Sequence, residues 1–265
     1  MIIDCHTHLN QYAELKNISS LEERVRKLLV TMASHNVDYS IILSSYVVNE
    51  ERPSTAKLIE ATRKHDNLGI VAGFSIDNHT EEDLRNYKTW IKDGLVKGLK
   101  IYSGYEPYYP YDKRYQKAYD LCVEFDVPVM IHTGDTFSEK GKLKYSHPLH
   151  IDELAVDNPE LKIVMCHLGN PWIEDCQEIV YKNDNVWADM SGLSVGKFDH
   201  FFEKLMVEKV AELINYVGEP RYLLYGTDWP ISDMDSYLSF VAKLKLKTKF
   251  RDELMFKNAK RLFKI

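Results

Sequence analysis

Two histidines one residue apart, His6 and His8, close the first apolar run of the chain, Ile2-Ile3-Asp4-Cys5-His6-Thr7-His8. A short apolar run of this kind reads as a buried strand, and on a strand the side chains at i and i+2 share a face. His6 and His8 are therefore expected to project together. Two neutral imidazole nitrogens held at a set separation make half of a site for Zn²⁺ or a similar divalent ion. A His-x-His pair standing alone is more often two ordinary histidines, so its meaning depends on what the other elements bring beside it.

The chain has 265 residues, with no Pro/Gly/Ser-rich linker, internal repeat or low-complexity run to divide it. Residues 1–265 are read as one large α/β domain. A net charge of −6 argues against a nucleic-acid surface, which needs clustered Lys and Arg. The longest basic cluster, Lys243 to Lys249, reads as the face and end of a late helix. No apolar run approaches the ~20 residues that span a bilayer, and no charged-then-apolar leader opens the chain, so a cytoplasmic protein is expected. Cys5, Cys122, Cys166 and Cys176 have neither CxxC spacing nor disulfide-scaffold density and read as reduced thiols. Strand alternation predicts that Cys5 and Cys166 face away from the histidines that follow them.

Beyond the first strand, Ser20 with Glu23 three residues on signals a helix start, and Leu21, Val25, Leu28, Leu29 and Met32 recur at helical spacing. Tyr39 to Ser44 is a second short apolar run. Further strands are expected at 69–74, 97–101, 128–131, 162–166, 185–190 and 222–225, each separated from the next by a segment of helical character. With His6, Ser44, Phe74, Lys100, His132, His167, Ser191 and Asp228 as strand-end landmarks, successive gaps run from 24 to 38 residues. Eight βα units at this rhythm predict a single (β/α)₈ TIM barrel. An open doubly wound sheet is the alternative, but no GxGxxG turn supports it.

In such barrels the chemistry sits at the C-terminal strand ends. The polar, ligand-capable residues fall there: His6 and His8 after strand 1, Lys100 after strand 4, His132 after strand 5, His167 after strand 6 and Asp228 after strand 8. His35, His65, His79 and His200 lie away from strand ends and read as surface or structural residues. His147 and His150 lie beyond strand 5, in a long loop leading into a helix, where either could touch a substrate, although a surface or structural role is preferred.

His6-Thr7-His8, IHTGDT around His132, CHLGNPW around His167, ADMSG at 188–192, GTDWP around Asp228 and the closing NAKRLF together resemble the amidohydrolase superfamily. More narrowly they resemble its amidohydrolase-related branch of hydrolases and non-oxidative decarboxylases, from end to end of the chain. The resemblance implies metal ligation by His6, His8, His132 and Asp228, with His167 contacting substrate or assisting proton transfer. It also implies a question at Lys100, because two-metal members carboxylate a strand-4 lysine to bridge two ions. An ordinary Lys100 ammonium and one divalent ion, with Zn²⁺ preferred, is the expectation here. TatD-like nucleases share the opening His-x-His and a late aspartate, but acidic charge disfavours a phosphodiester substrate.

The expected chemistry follows from the donor set. Three imidazoles and one carboxylate leave a divalent ion net positive, so a bound water ionises near pH 7, at a pKa of about 7 in good zinc sites. Asp228 is expected to shuttle that proton, and His167 to polarise a carbonyl or stabilise an oxyanion. Seven tyrosines between 102 and 119 follow strand 4, and the first of them, Tyr102 and Tyr105, are expected to border a pocket for a planar substrate. Arg52 after strand 2 could pair a carboxylate, and Trp172 and Trp229 are expected as pocket walls. The expected activity is hydrolysis of a small-molecule amide, lactone or ester-like carbonyl. Metal-dependent decarboxylation of an unsaturated or aromatic acid is the alternative, and a silent metal-binding barrel a distant third. The expected partner is a small molecule, with no nucleic acid and no membrane, and assembly into homo-oligomers stays open.

Overall fold

Parallel pairing runs unbroken through eight strands in chain order, each followed by a helical segment. A computed structural model describes residues 1–265. The strands are β1 Ile3–Thr7, β2 Tyr39–Leu43, β3 Leu68–Phe74, β4 Leu99–Ile101, β5 Val129–Ile131, β6 Ile163–Met165, β7 Val186–Asp189 and β8 Leu223–Leu224. The helices α1 Leu21–Ser34, α2 Thr55–Thr62, α3 Glu81–Lys92, α4 Gln116–Phe125, α5 Leu149–Asp157, α6 Ile173–Lys182, α7 His200–Val217 and α8 Met234–Lys243 alternate with them. The β8 end closes on β1: Cys5 N–H donates to Tyr225 O at 3.0 Å, and His8 N–H to Trp229 O at 2.7 Å. The expected (β/α)₈ barrel is the fold, and the open sheet is not.

The strands are short apolar runs because both of their faces are buried. Val129 and Ile131 point outward to the helices, while Met130 between them points to the lumen with Ile41, Leu43, Val71 and Val164. Helix α1 starts at Ser20, whose hydroxyl accepts from Glu23 N–H at 3.3 Å, and buries Val25, Leu28 and Met32 against the sheet. After α8, the helix α9 Thr248–Asp252, a π-helical turn at Glu253–Lys257 and α10 Asn258–Phe263 close the chain. Ala259, Leu262 and Phe263 of α10 join the lumen's apolar cluster. The opposite, C-terminal end of the lumen is left to polar residues, and there the candidate site lies.

Two local departures from alternation aim the histidines. On β1 the register moves from Asp4↔Ser40 to Thr7↔Ile42, so three residues span two of β2, a bulge that lets Cys5 and the later His6 both face the axis. On β6 the strand stops at Met165, and His167 takes a left-handed backbone with φ 64°. The expectation that Cys5 and Cys166 turn away from the histidines is thereby corrected. Both thiols face the lumen and are fully buried, and all four cysteines are free.

The loop after β4 is tied to the end of β3 by Glu106, a buried carboxyl whose Oε1 accepts from Ser75 Oγ at 2.5 Å while Oε2 has no partner. Burial raises the Glu106 pKa to about 7. Between its ordinary value near 4.5 and about 7, the unfolded chain gives up a proton that the folded chain keeps, so this group's contribution to stability falls as pH rises through that window. Glu106→Gln is expected to leave stability nearly unchanged at pH 4 and to raise it by on the order of 2 kcal/mol at pH 8. Urea unfolding at the two pH values measures this, and an equal change at both would count against it.

Candidate metal centre and active site

Four imidazoles and one carboxylate converge at the C-terminal end of the lumen. In each imidazole one nitrogen is engaged by an acceptor. His6 Nδ1 lies 3.0 Å from Asp189 Oδ2, His8 Nδ1 2.9 Å from Leu43 O, His167 Nδ1 3.0 Å from Ser191 O, and His132 Nε2 2.9 Å from Asp135 O. A carbonyl or carboxylate can only accept, so each of these nitrogens donates its proton, and in the neutral ring the other nitrogen carries a lone pair. Such outer hydrogen bonds set the tautomer that a metal-ligating histidine needs.

The lone pairs meet a carboxylate. Asp228 Oδ1 lies 3.1 Å from His8 Nε2 and 3.7 Å from His6 Nε2, is buried, and receives no hydrogen bond. Ligand atoms of His6, His8 and Asp228 all fall within 4.8 Å of one another. Three acceptors facing one another without a shared proton repel unless a cation sits among them, so the donor set fits a divalent metal. His6 forms a second such group with Cys166 and His167. His132 is outside both groups; its ring centroid is 4.9 Å from that of His167. Of the four expected ligands, three are gathered tightly, and His132 stands beside them across His167.

Asp189 organises this cluster from β7. Besides His6 Nδ1 it accepts from His167 N–H at 3.1 Å, Ser191 N–H at 3.0 Å and the Ser191 hydroxyl. Full burial works to raise its pKa, but the His6 and His167 rings and these donors overcome it and hold the carboxylate far below its usual range. Burial, reinforced by neighbouring His6, lowers the His167 pKa to about 4, so this ring is neutral at pH 7. A neutral His167 that donates through Nδ1 offers only an acceptor at Nε2, which suits ligation or proton uptake and not the expected donation to an oxyanion. The backbones of His167 and Asp228 are both left-handed, with φ 64° and 69°, a costly conformation for residues with a Cβ. Gly192, at φ 63°, leaves room for both: a Cβ there would stand 2.6 Å from His167 Nδ1 and 3.1 Å from Asp228 Oδ2.

Lys100 is buried at the cavity floor, with Nζ 3.0 Å from Cys166 Sγ and 5.0 Å from the Tyr102 ring centroid. Tyr102 and Tyr105 line the cavity. Tyr102 OH donates to Ser44 O at 2.6 Å, and Tyr105 OH accepts from Phe137 N–H at 2.8 Å. Tyr115 and Tyr119 are buried behind the sheet. Arg52 also faces the cavity, with Tyr12 and Tyr46, two residues whose place in it has no local signal in the sequence. The tryptophans depart from expectation. Trp229 is buried with Nε1 2.6 Å from Glu14 Oε1, and the Trp172 ring lies 4.5 Å from that of His147; neither lines the cavity. Asp189 and Ser191 sit within the ADMSG motif, but no local pattern marks their roles, because their partners His6 and His167 come from other strands.

Comparison with known proteins agrees with this architecture. Among solved structures, an uncharacterized TIM-barrel protein from Bordetella bronchiseptica superimposes with a TM-score of 0.72 at 19% identity, covering 98% of this chain and 97% of that one. A probable 2-pyrone-4,6-dicarboxylic acid hydrolase from Acinetobacter baumannii gives 0.70 at 15% identity, covering 100% and 99%. A dihydroxybenzoic acid decarboxylase from Polaromonas with bound manganese gives 0.67 at 16%, covering 99% and 96%. No curated protein matches the chain in sequence. No helix is long and apolar enough to cross a membrane. A model of the amidohydrolase family matches residues 3–265, and with the barrel and its strand-end histidines in place the chain belongs to the amidohydrolase family.

Proposed function

We propose that this chain is a metal-dependent hydrolase acting on an amide, lactone or ester-like carbonyl of a small molecule. The observation that carries the reading is Asp228: a buried carboxylate beside two imidazole lone pairs, with one oxygen that accepts no hydrogen bond. His6, His8 and Asp228 would hold one divalent ion, with His132 and His167 beside them; this nitrogen-rich set with a carboxylate suits Zn²⁺. Such an ion supplies an acidified water and polarises the substrate carbonyl. Asp228 takes the proton of the attacking water on its carboxylate and returns it to the leaving oxygen or nitrogen. Asp189 and Ser191 keep the His6 and His167 rings in the tautomers that leave their Nε2 atoms free. Lys100 remains an ammonium in this reading, held by the Cys166 thiol and the Tyr102 ring. The fold also resembles a decarboxylase, which makes metal-dependent loss of CO₂ from an organic acid the second reading.

The test is to load the purified chain with Zn²⁺ or Mn²⁺ and present lactones, aryl esters, anilides and aromatic acids. Hydrolysis that disappears with chelation and returns with metal is the expected result. CO₂ release from the acids, with lactones, esters and anilides untouched, would replace it with the second reading.

A further inference from the structure

The void around the metal-binding cluster extends to two sides that differ in charge. One lobe, about 780 Å³ with its open mouth, lies under the loops after β1, β2 and β4; it carries Arg52 and Lys100, and its sole carboxylate is Asp228. The other, about 750 Å³, lies toward the loops after β6 and β7; it adds Asp135 and has no lysine or arginine. Asp228, His132 and His167 border both. A molecule reacting at this cluster therefore has one end in a cationic compartment and the other in an anionic one.

Within the cationic lobe Arg52 is the group equipped to bind. It packs against the neutral phenols of Tyr12 and Tyr46 and forms no ion pair with a carboxylate. The guanidinium carbon lies 5.6 Å from the Tyr12 ring centroid and 5.9 Å from that of Tyr46, and Nε is buried without an acceptor. The Tyr12 and Tyr46 side chains orient the planar guanidinium and meet part of its hydrogen-bonding capacity, but Nε–H still has no acceptor. A part-buried cation with unused donors gains most from an anion of matching planar geometry, which a carboxylate supplies through two parallel hydrogen bonds. Lys100 differs, because its ammonium already faces Cys166 Sγ and the Tyr102 ring; it adds positive potential without a fork. The Tyr46, Tyr102 and Tyr105 rings cluster in this lobe, with pairwise centroids 4.9, 6.1 and 6.3 Å apart, and form an aromatic wall.

We infer that Arg52 is a specificity-determining residue: the substrate is a planar organic acid whose carboxylate, separate from the bond that reacts, docks on Arg52 beside Tyr12 and Tyr46. Asp135 in the opposite lobe repels that end, so the orientation is set and the fragment lodged there carries no negative charge. Only the nature of that second fragment rests on the hydrolase reading; recognition of the acid at Arg52 does not.

The experiment uses the full, Zn²⁺-loaded chain and calorimetric titration with benzoate, phthalate, isophthalate and terephthalate. Benzoate can meet the metal or Arg52 but not both; a dicarboxylate of the right span meets both. At least one dicarboxylate is expected to bind about tenfold or more tighter than benzoate, the scale of a charge-assisted pair. Arg52→Gln should erase that advantage while leaving benzoate within about twofold, which also reports that the variant is folded. Arg52→Lys should keep only part of the advantage, since an ammonium lacks the fork. A wild-type chain with no preference for any dicarboxylate, or a preference intact in Arg52→Gln, would overturn the inference. If Arg52-dependent preference holds while no ester, anilide or lactone is hydrolysed, the hydrolase reading fails and the inference stands.

Discussion

Asp228→Asn is expected to lower turnover by about 10²–10⁴-fold, the range for removing a positioned general acid–base group. The amide keeps the size of the carboxylate and keeps an oxygen toward the His6 and His8 nitrogens, so the fold should survive with little change. What it loses is the ability to take up a proton. Loss of charge also weakens metal binding, so the comparison must be made at metal concentrations where occupancy, measured by elemental analysis, is equal in the two proteins. At equal occupancy the defect should lie in kcat, with KM changed much less, because the carboxylate's role is in the proton transfers and not in holding substrate. Unchanged turnover at full occupancy would remove Asp228 from the proton path. It would also leave the open Oδ1 atom as a metal ligand only.

A second large effect is expected at Asp189, which touches no substrate in this reading and acts through His6. Its two oxygens accept from His6 Nδ1, His167 N–H, Ser191 N–H and the Ser191 hydroxyl, all in the buried floor of the site. Asp189→Asn replaces one acceptor oxygen by a donor NH₂, so at least one of these partners faces a donor instead. If the amide turns its NH₂ to His6, the ring must present a lone pair at Nδ1 and carry its proton on Nε2, where the metal would bind. Metal affinity is expected to fall about 10–100-fold, the usual scale for such outer partners. Stability should fall as well, by about 1–3 kcal/mol for each buried group left unpaired. Chelator competition gives the first quantity and thermal unfolding of the metal-free protein the second. A variant that loses stability but binds metal as tightly as before would make Asp189 a purely structural residue.

The two substitutions separate the parts of the site. Asp228→Asn keeps the imidazole tautomers and removes the proton acceptor, whereas Asp189→Asn keeps the acceptor and disturbs a tautomer. Their metal-affinity and kcat signatures should therefore differ in kind. Asp189 ends β7 and Asp228 follows β8, and both sit where the backbone leaves the barrel. That is why a site of this sort tolerates the left-handed geometry of His167 and Asp228: the surrounding sheet fixes the strand ends, and the loops carry the strain.

What the amino-acid order determined by itself is the frame and most of its polar rim. Apolar runs at intervals of 24 to 38 residues specify eight βα units, because strand and helix periodicities are local properties of the chain. Once the units are counted, any ligand-capable residue at a strand end is placed on one face of the barrel, so His6, His8, Lys100, His132, His167 and Asp228 were all legible. Tertiary structure decided the rest, for reasons that no local pattern encodes. A bulge against β2 and a left-handed turn after β6 overrode alternation and put Cys5 and Cys166 in the lumen, with Cys166 against Lys100. The bond from Asp189 to His6 spans 183 positions and exists only because β7 lies near the closure of β8 on β1. Trp229 follows Asp228 directly, yet its buried indole reaches out to the exposed Glu14 and leaves the cavity to Tyr12 and Tyr46. Side-chain direction at a strand end depends on hydrogen-bond partners far away in sequence, and those partners are defined only when the barrel closes.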